Sequence, residues 1–202
     1  MAVISISGTQ GSGKSTLLNA LEAQGVSVDH YKVSRAVQKE LGATDLADLT
    51  QTSESIRHFQ ELVFEKKYTN DKALKEHNGI ILVERSFIDV AAYTLLWMTA
   101  LLEYSPYSEA DGEWLDDFLK RCADAQIEIY SGSAMIPLMP GIKQEIDPNR
   151  AKYEDADTIY DLGMMFIATS LGPTFPICNI FELDINRRCE TVQQFMKRFQ
   201  SQ

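Results

Sequence analysis

The chain has 202 residues, 45% hydrophobic and 24% charged, a composition typical of one soluble α/β domain with a sizeable core. Its formal net charge of −10 argues against a surface that grips nucleic acid or anionic membrane nonspecifically, although a local basic cleft stays compatible with it. The three cysteines lack metal-ligand spacing, and the start of the chain lacks a basic leader with a cleavage site. We therefore expect a cytoplasmic protein with buried thiols and no membrane-spanning segment.

A glycine-rich loop follows the first predicted strand, residues 2–7, and matches the pattern G-x-x-x-x-G-K-[ST] in full. Glycines let the backbone wrap a polyphosphate, so that successive N–H groups point at the anion. Lys14 is predicted to reach the β- and γ-phosphates, and the Ser15 hydroxyl to hold Mg²⁺. A helix predicted at residues 15–24 completes the setting of a nucleoside triphosphate site. The residues assigned to ATP binding here are Gly8, Thr9, Gln10, Gly11, Ser12, Gly13, Lys14, Ser15 and Thr16.

Strands and helices alternate along the rest of the chain. Further strands are predicted at residues 26–31, 80–83, 134–139 and 177–183. Further helices are predicted at residues 33–41, 53–76, 87–103, 113–125, 155–171 and 190–199. The pattern predicts an α/β fold in a single domain over residues 1–202. This is a three-layer sandwich in which helices cover both faces of a five-stranded parallel sheet.

An acidic residue and an arginine follow the third predicted strand. Glu84 closes that strand beside the metal expected at Ser15, so it is predicted to hold a metal-bound water or to act as a base. Arg85 is predicted to contact the transferring phosphoryl group or an acceptor phosphate. A GTPase would carry Asp-x-x-Gly here and Asn-Lys-x-Asp later, and neither pattern exists in this chain.

These residues carry a resemblance to known kinases. Glu84-Arg85-Ser86 resembles the acidic-Arg-Ser signature that follows the third strand in deoxynucleoside kinases. Together with Ala92-Tyr93 it is also similar to thymidylate kinases, in which the acidic position is usually Asp. The general layout is similar to that of kinases of the nicotinamide riboside kinase type. The chain thus resembles small P-loop kinases of nucleosides and nucleotides, over most of its length by topology.

The resemblance implies a lid and a loop over the adenine. In such families the loop after the fourth strand forms a lid whose arginines clamp the phosphates. Here the lid would cover about residues 141–154, with Arg150 as the clamping arginine beside Lys143 and Lys152. After the fifth strand, residues 184–188 resemble the loop that covers the adenine, where Arg187 or Arg188 would stack on the base.

The acceptor is expected beside the second strand and its following helix. In nucleoside kinases an acidic residue after this strand takes the proton from the acceptor hydroxyl, but their usual Glu-Pro pair is absent here. The base therefore stays open between Asp29, Glu84 and Asp89. Arg35 would bind an acceptor phosphate or a base edge, and aromatic rings would pack on a nucleobase. The residues assigned to the acceptor are Asp29, Arg35, Phe59 and Tyr93.

The leading prediction is an ATP- and Mg²⁺-dependent kinase whose acceptor is a small nucleoside, nucleotide or related hydroxyl compound. One alternative keeps the chemistry but acts on a polynucleotide, at a chain end or a hydroxymethylated base in DNA, which the acidic charge disfavours. Another is a regulatory P-loop ATPase without an acceptor. The apolar helix at residues 90–102 suits a homodimer interface as readily as the core.

Overall fold

The computed structural model describes residues 1–102, 108–137 and 156–200. Five strands form one sheet in the order β2-β3-β1-β4-β5, and every neighbouring pair is parallel. The strands are β1 (Ala2–Gly8), β2 (Ser27–Asp29), β3 (Ile80–Glu84), β4 (Gly132–Ile136) and β5 (Ile177–Asn179). The predicted α/β sandwich with a five-stranded parallel sheet is therefore confirmed.

Helices alternate with these strands. They are α1 (Lys14–Glu22), α2 (Val33–Glu40), α3 (Ser53–Ala73), α4 (Phe87–Leu102), α5 (Glu109–Ile129), α6 (Ala156–Ser170) and α7 (Ile185–Lys197). Short 3₁₀ turns lie at Leu46–Leu49 and Leu74–Glu76. None of the helices within the described ranges is long and apolar enough to cross a membrane.

Two hydrophobic clusters lie on opposite faces of the sheet, because successive side chains of a strand alternate between faces. On β1, Val3 joins the cluster beneath helices α2 to α6, whereas Ile4 and Ile6 join the cluster beneath α1 and α7. Burial on both faces explains why the central strands are apolar almost throughout.

Two helices are longer than their sequence pattern predicts, because capping residues start them early. The Ser108 hydroxyl and the Asp111 carboxylate form a capping box, so α5 begins at Glu109 rather than at 113. The Asp184 carboxylate accepts hydrogen bonds from two backbone N–H groups, which starts α7 at Ile185 rather than at 190.

The edge strands β2 and β5 are shorter than predicted, with three residues each. Among the described residues no strand pairs with their outer edges, so fewer backbone hydrogen bonds extend them. The predicted lid, residues 141–154, lies outside the described residues.

Candidate active site

The glycine-rich loop joins β1 to α1 at the carboxyl edge of the sheet. Gly11 and Gly13 have φ angles of 78° and 89°, which side-chain-bearing residues rarely adopt. At Gly8 a Cβ would lie 2.6 Å from the Ile136 carbonyl oxygen of β4. Each of these positions therefore requires glycine for a reason of local geometry.

Lys14 folds back over this loop. Its Nζ donates hydrogen bonds to the carbonyl oxygens of Gly8 and Thr9, at 2.7 and 2.5 Å, and only 4% of the residue is exposed. Burial, together with the nearby Arg85 guanidinium, lowers the pKa of the Lys14 ammonium to about 7. The loop thus holds a cation whose positive charge is incompletely compensated.

Ser15 and Glu84 meet between the loop and β3, where the Ser15 hydroxyl donates to Glu84 Oε1 at 2.8 Å. The other oxygen, Oε2, is buried and has no hydrogen-bond partner in the described structure, and neither has Thr9 Oγ1. Mg²⁺ bound with a nucleotide takes one or two carboxylates plus phosphate oxygens, so the free Glu84 oxygen beside Ser15 fits this ion. No group of three or more His, Cys, Asp or Glu side chains placed for a metal occurs among the described residues.

Arg85 has an unusual backbone conformation. Its φ is 69°, and within the described ranges it is the one residue other than glycine with a positive φ. Its guanidinium lies 5.0 Å above the Tyr93 ring and 3.3 Å from a carboxylate oxygen of Asp89. Such outliers persist where surrounding contacts fix them, and they cluster at functional sites.

Asp89 is buried and is already surrounded by donors. Its carboxylate accepts from the backbone N–H groups of Gly8 and Ser86, from Arg85, and from the Tyr160 hydroxyl on α6. Tyr160 did not enter the sequence analysis. A tyrosine at helical spacing resembles any core aromatic, so only its contact with Asp89 distinguishes it.

The two acceptor residues on the second strand and its helix differ in their surroundings. Asp29 ends β2, where its carboxylate accepts from the Tyr31 backbone N–H at 3.2 Å and from the Asn70 amide at 3.1 Å. Arg35 lies exposed on α2. The structure therefore places Asp29 in a hydrogen-bonded turn beside β3, and Arg35 on the exposed surface of α2.

The aromatic residues assigned to the acceptor pack around Trp97 of α4. The Phe59 and Tyr93 rings lie 5.7 and 5.5 Å from the Trp97 ring, with Phe59 buried and Tyr93 half-buried. Gln60, the neighbour of Phe59, is only 2% exposed, so its amide is buried beside this aromatic group. The sequence signal for Gln60, a polar residue within the apolar half of α3, was too weak to identify it.

Arg188 contacts the glycine-rich loop rather than standing free. It is 5% exposed, and it donates from Nη1 to the Ser12 carbonyl at 2.8 Å and from Nε to the Glu182 carbonyl at 2.6 Å. A Cβ at Gly13 would lie 2.9 Å from the same Nη1. The neighbouring Arg187 is exposed.

The structure thus brings most of the predicted residues to one edge of the sheet. The loop, Glu84, Arg85 and Arg188 contact one another directly or through one intermediate residue. Asp29 lies one strand away, and Phe59 lies in the core of the adjoining helix layer. Arg150 lies outside the described residues, as does the rest of the predicted lid.

Comparison with known proteins assigns more than half of the chain to a family. Residues 3–120 match the family model described as an AAA domain. Comparison with curated protein sequences gives no match.

Solved structures of kinases share the fold. Deoxyadenosine kinase from M. mycoides, with the products dCMP and dCDP bound, gives a TM-score of 0.67 at 14% identity, covering 97% of this chain and 99% of that one. Thymidylate kinase from Candida albicans gives 0.62 at 14% identity, covering 98% and 92%. The NadR protein in complex with NR gives 0.65 at 17% identity over 97% of this chain, which spans only 50% of NadR. This chain therefore belongs to the AAA-domain family of P-loop proteins and has the fold of the nucleoside and nucleotide kinases.

Proposed function

We propose that this protein is an ATP- and Mg²⁺-dependent kinase that transfers the γ-phosphate to a hydroxyl group of a small nucleoside or nucleotide. The observation that carries the proposal is the 2.8 Å contact between the Ser15 hydroxyl and Glu84. It joins a phosphate-binding loop to an acidic strand end, and Arg85 follows at the next position. The shared fold with a deoxyadenosine kinase and a thymidylate kinase supports this class of reaction.

On the donor side, Lys14 and the loop N–H groups neutralise the β- and γ-phosphates of ATP. Ser15 and Glu84 would hold Mg²⁺, which would neutralise negative charge on the phosphates of ATP. Arg85 and, from the predicted lid, Arg150 stabilise the charge on the moving phosphoryl group. Catalysis of this kind depends on positioning and charge neutralisation more than on a strong base.

On the acceptor side, two carboxylates remain candidates to orient the hydroxyl group. Asp29 is held by two donors in its turn, and Glu84 keeps one oxygen without a partner within the described structure. Asp89 is the least suited, because its carboxylate already accepts four hydrogen bonds.

A nucleobase of the acceptor would be recognised between α3 and α4. Phe59 and Tyr93 offer aromatic faces for stacking. The buried Gln60 amide offers one acceptor and two donor hydrogens, which match the mixed edge of a base. Replacing Gln60 by Leu should therefore raise the KM for the acceptor without changing the KM for ATP.

The proposal is tested by screening transfer of radiolabelled γ-phosphate to nucleosides, nucleoside monophosphates and hydroxymethylated DNA. A Lys14→Ala variant should lower turnover by at least about 10²-fold, comparable to loss of one donor from a preorganised anion site. Wild-type transfer by this variant would contradict the assignment. ATP hydrolysis that no acceptor diverts into product would instead favour the regulatory ATPase.

A polynucleotide acceptor is a second candidate, because α2 has a row of exposed cations. Lys32, Arg35 and Lys39 are exposed and form no ion pair within the described ranges, although the whole chain carries a net charge of −10. Arg35 and Lys39 are four residues apart on one face of α2, and Lys32 immediately precedes the helix, so the three cations extend over about 10 Å. That length exceeds one phosphate group and suits neighbouring phosphodiesters of a single strand.

Salt titration of single-stranded oligonucleotide binding tests this candidate. An Arg35→Gln variant should lower the slope of log K against log salt by about 0.7, the value for one phosphate contact on a single strand. Lys197→Gln, which removes an exposed cation from α7, is the matched control and should leave the slope unchanged. A negligible slope for the wild-type protein would eliminate the polynucleotide.

A further inference from the structure

Four donors from three parts of the chain converge on one buried carboxylate. Asp89 is 1% exposed, and its Oδ1 accepts from the Gly8 N–H at 3.4 Å, from Arg85 Nη1 at 3.3 Å and from the Tyr160 hydroxyl at 2.5 Å. Its Oδ2 accepts from the Ser86 N–H at 2.8 Å. The Asp89 side chain therefore joins the glycine-rich loop, the β3–α4 turn and α6.

These contacts fix the backbone of Arg85 from both sides. The Arg85 N–H donates to the Ile6 carbonyl at 3.0 Å, and the next N–H, from Ser86, donates to Asp89. Between these two bonds Arg85 holds its φ of 69°. A residue other than glycine is strained in this region and stays there only when its surroundings impose the conformation.

Tyr160 touches both groups that hold the Arg85 guanidinium. Its hydroxyl donates to the Asp89 oxygen that pairs with Arg85, and its ring lies 4.6 Å from the Tyr93 ring, over which the guanidinium lies. Asp89 and Tyr160 are nearly inaccessible, at 1% and 2% exposure, whereas the Arg85 side chain is 29% exposed. The Arg85 side chain is therefore accessible from solvent, whereas Asp89 and Tyr160 are buried beneath it.

We propose that Asp89 and Tyr160 are positioning residues that hold the Arg85 guanidinium at the place where the phosphoryl group is transferred. The same two residues connect α6 to the glycine-rich loop. A carboxylate that accepts four hydrogen bonds is held in one orientation, so it can fix the position of the cation paired with it. The inference rests on the proposed kinase function for the role of Arg85. The inference makes α6 part of the catalytic framework, because removing the Tyr160 hydroxyl would change the position of the Arg85 guanidinium.

Chemical labelling of Arg85 tests the positioning without any turnover. Phenylglyoxal reacts with accessible guanidinium groups, and mass spectrometry of the peptide containing Arg85 gives its rate. We expect Asp89→Asn to raise that rate by about tenfold, the effect of losing one hydrogen bond to a charged group, and Tyr160→Phe to raise it by a smaller factor.

Tyr130→Phe is the matched control, because Tyr130 is 3% exposed and also donates its hydroxyl to a buried aspartate, Asp71. Asp71 likewise pairs with a cation four residues earlier, Lys67 at 2.7 Å. The control removes the same group from a second buried cluster, which makes no hydrogen bond or ion pair with Arg85 in the described structure, and it should leave Arg85 labelling unchanged. Labelling rates of Asp89→Asn and Tyr160→Phe equal to that of the control would overturn the inference.

A double-mutant cycle on ATP turnover separates this inference from the kinase proposal. If Tyr160 acts through Arg85, adding Tyr160→Phe to Arg85→Ala should lower kcat no further, whereas in the wild-type background it lowers kcat and leaves the KM for ATP unchanged. If Tyr160→Phe lowered kcat by the same factor in the wild-type and the Arg85→Ala backgrounds, positioning through Arg85 would be contradicted. Changed labelling in a protein that transfers no phosphate would reject the kinase and retain the positioning.

Discussion

Lys14 illustrates how a single side chain is prepared for an anion. Its ammonium is buried against two carbonyl oxygens, and Arg85 adds a second positive charge nearby. Desolvation disfavours the charged form, which explains a pKa of about 7 in place of 10.5. A bound polyphosphate would place negative charge beside Lys14, so its binding would favour the protonated form that burial disfavours.

Proton uptake on ATP binding should therefore be measurable. At pH 8 the free protein holds Lys14 mostly neutral, and bound phosphates raise its pKa, so we expect uptake of about one proton per ATP. Calorimetric titrations in buffers of different ionisation enthalpy give this number. Lys14→Arg keeps a permanent charge and should take up none, and a wild-type value of zero would contradict the low pKa.

The same pKa fixes the direction of a stability change. The unfolded chain holds the Lys14 proton up to about pH 10.5 and the folded chain only to about pH 7. The unfolded state therefore binds more protons between these values, and this group makes the free energy of unfolding rise with pH across that window. In Lys14→Met this contribution to the pH slope should disappear, as denaturant titrations at pH 7 and pH 9 would show.

At the scale of elements, Arg188 links two loops. Its guanidinium joins the Ser12 carbonyl of the glycine-rich loop to the Glu182 carbonyl between β5 and α7. Each carbonyl would lose a donor if the side chain were removed, and the strand–loop–helix unit around ATP would lose its support from α7.

Replacing Arg188 by Met should weaken binding of ATP and of inorganic tripolyphosphate by the same factor, about tenfold. An arginine that stacked on the adenine would weaken ATP alone, so fluorescence titration with the two ligands separates the roles. Arg187→Met changes the exposed neighbour and should affect neither ligand.

At the scale of the whole molecule, stability depends on the contact of α7 with the sheet. A Cβ at Gly132 of β4 would lie 2.9 Å from the ring tips of Phe195 and Phe199, whereas Gly112 in α5 faces open space. The glycine in β4 thus lets a helix approach the sheet closely, and the glycine in α5 has no packing role.

The same substitution should therefore have opposite effects at these two sites. Gly132→Ala overpacks the layer and should lower the free energy of unfolding by about 1–3 kcal/mol. Gly112→Ala improves helix propensity and should raise it by about 1 kcal/mol. Urea unfolding of both variants measures the difference, and equal effects would contradict the close packing of α7.

Local signals in the sequence predicted the fold well. The apolar run at 80–83 and the alternation of elements identified the sheet, because both faces of a parallel sheet are buried. Element ends were less accurate: α5 and α7 begin four and five residues before their predicted starts, since the capping residues Ser108 and Asp184 lie outside the apolar pattern.

The site was predicted as far as its residues are close in sequence. The glycine-rich loop and the Glu84-Arg85 pair were identified from contiguous motifs, and their roles in ATP and metal binding remain predictions, as does Arg150. Tyr160 and Gln60 were missed, because a buried tyrosine and a helical glutamine have no local signature.

The sequence by itself determined the glycine-rich loop and the parallel α/β architecture, because glycine conformations and strand burial are properties of short segments. Only the tertiary structure decided which distant groups complete the site: Tyr160 behind Arg85, and Arg188 against Ser12 rather than standing free. These contacts join residues far apart in the chain, and packing of the helix layers on the sheet creates them.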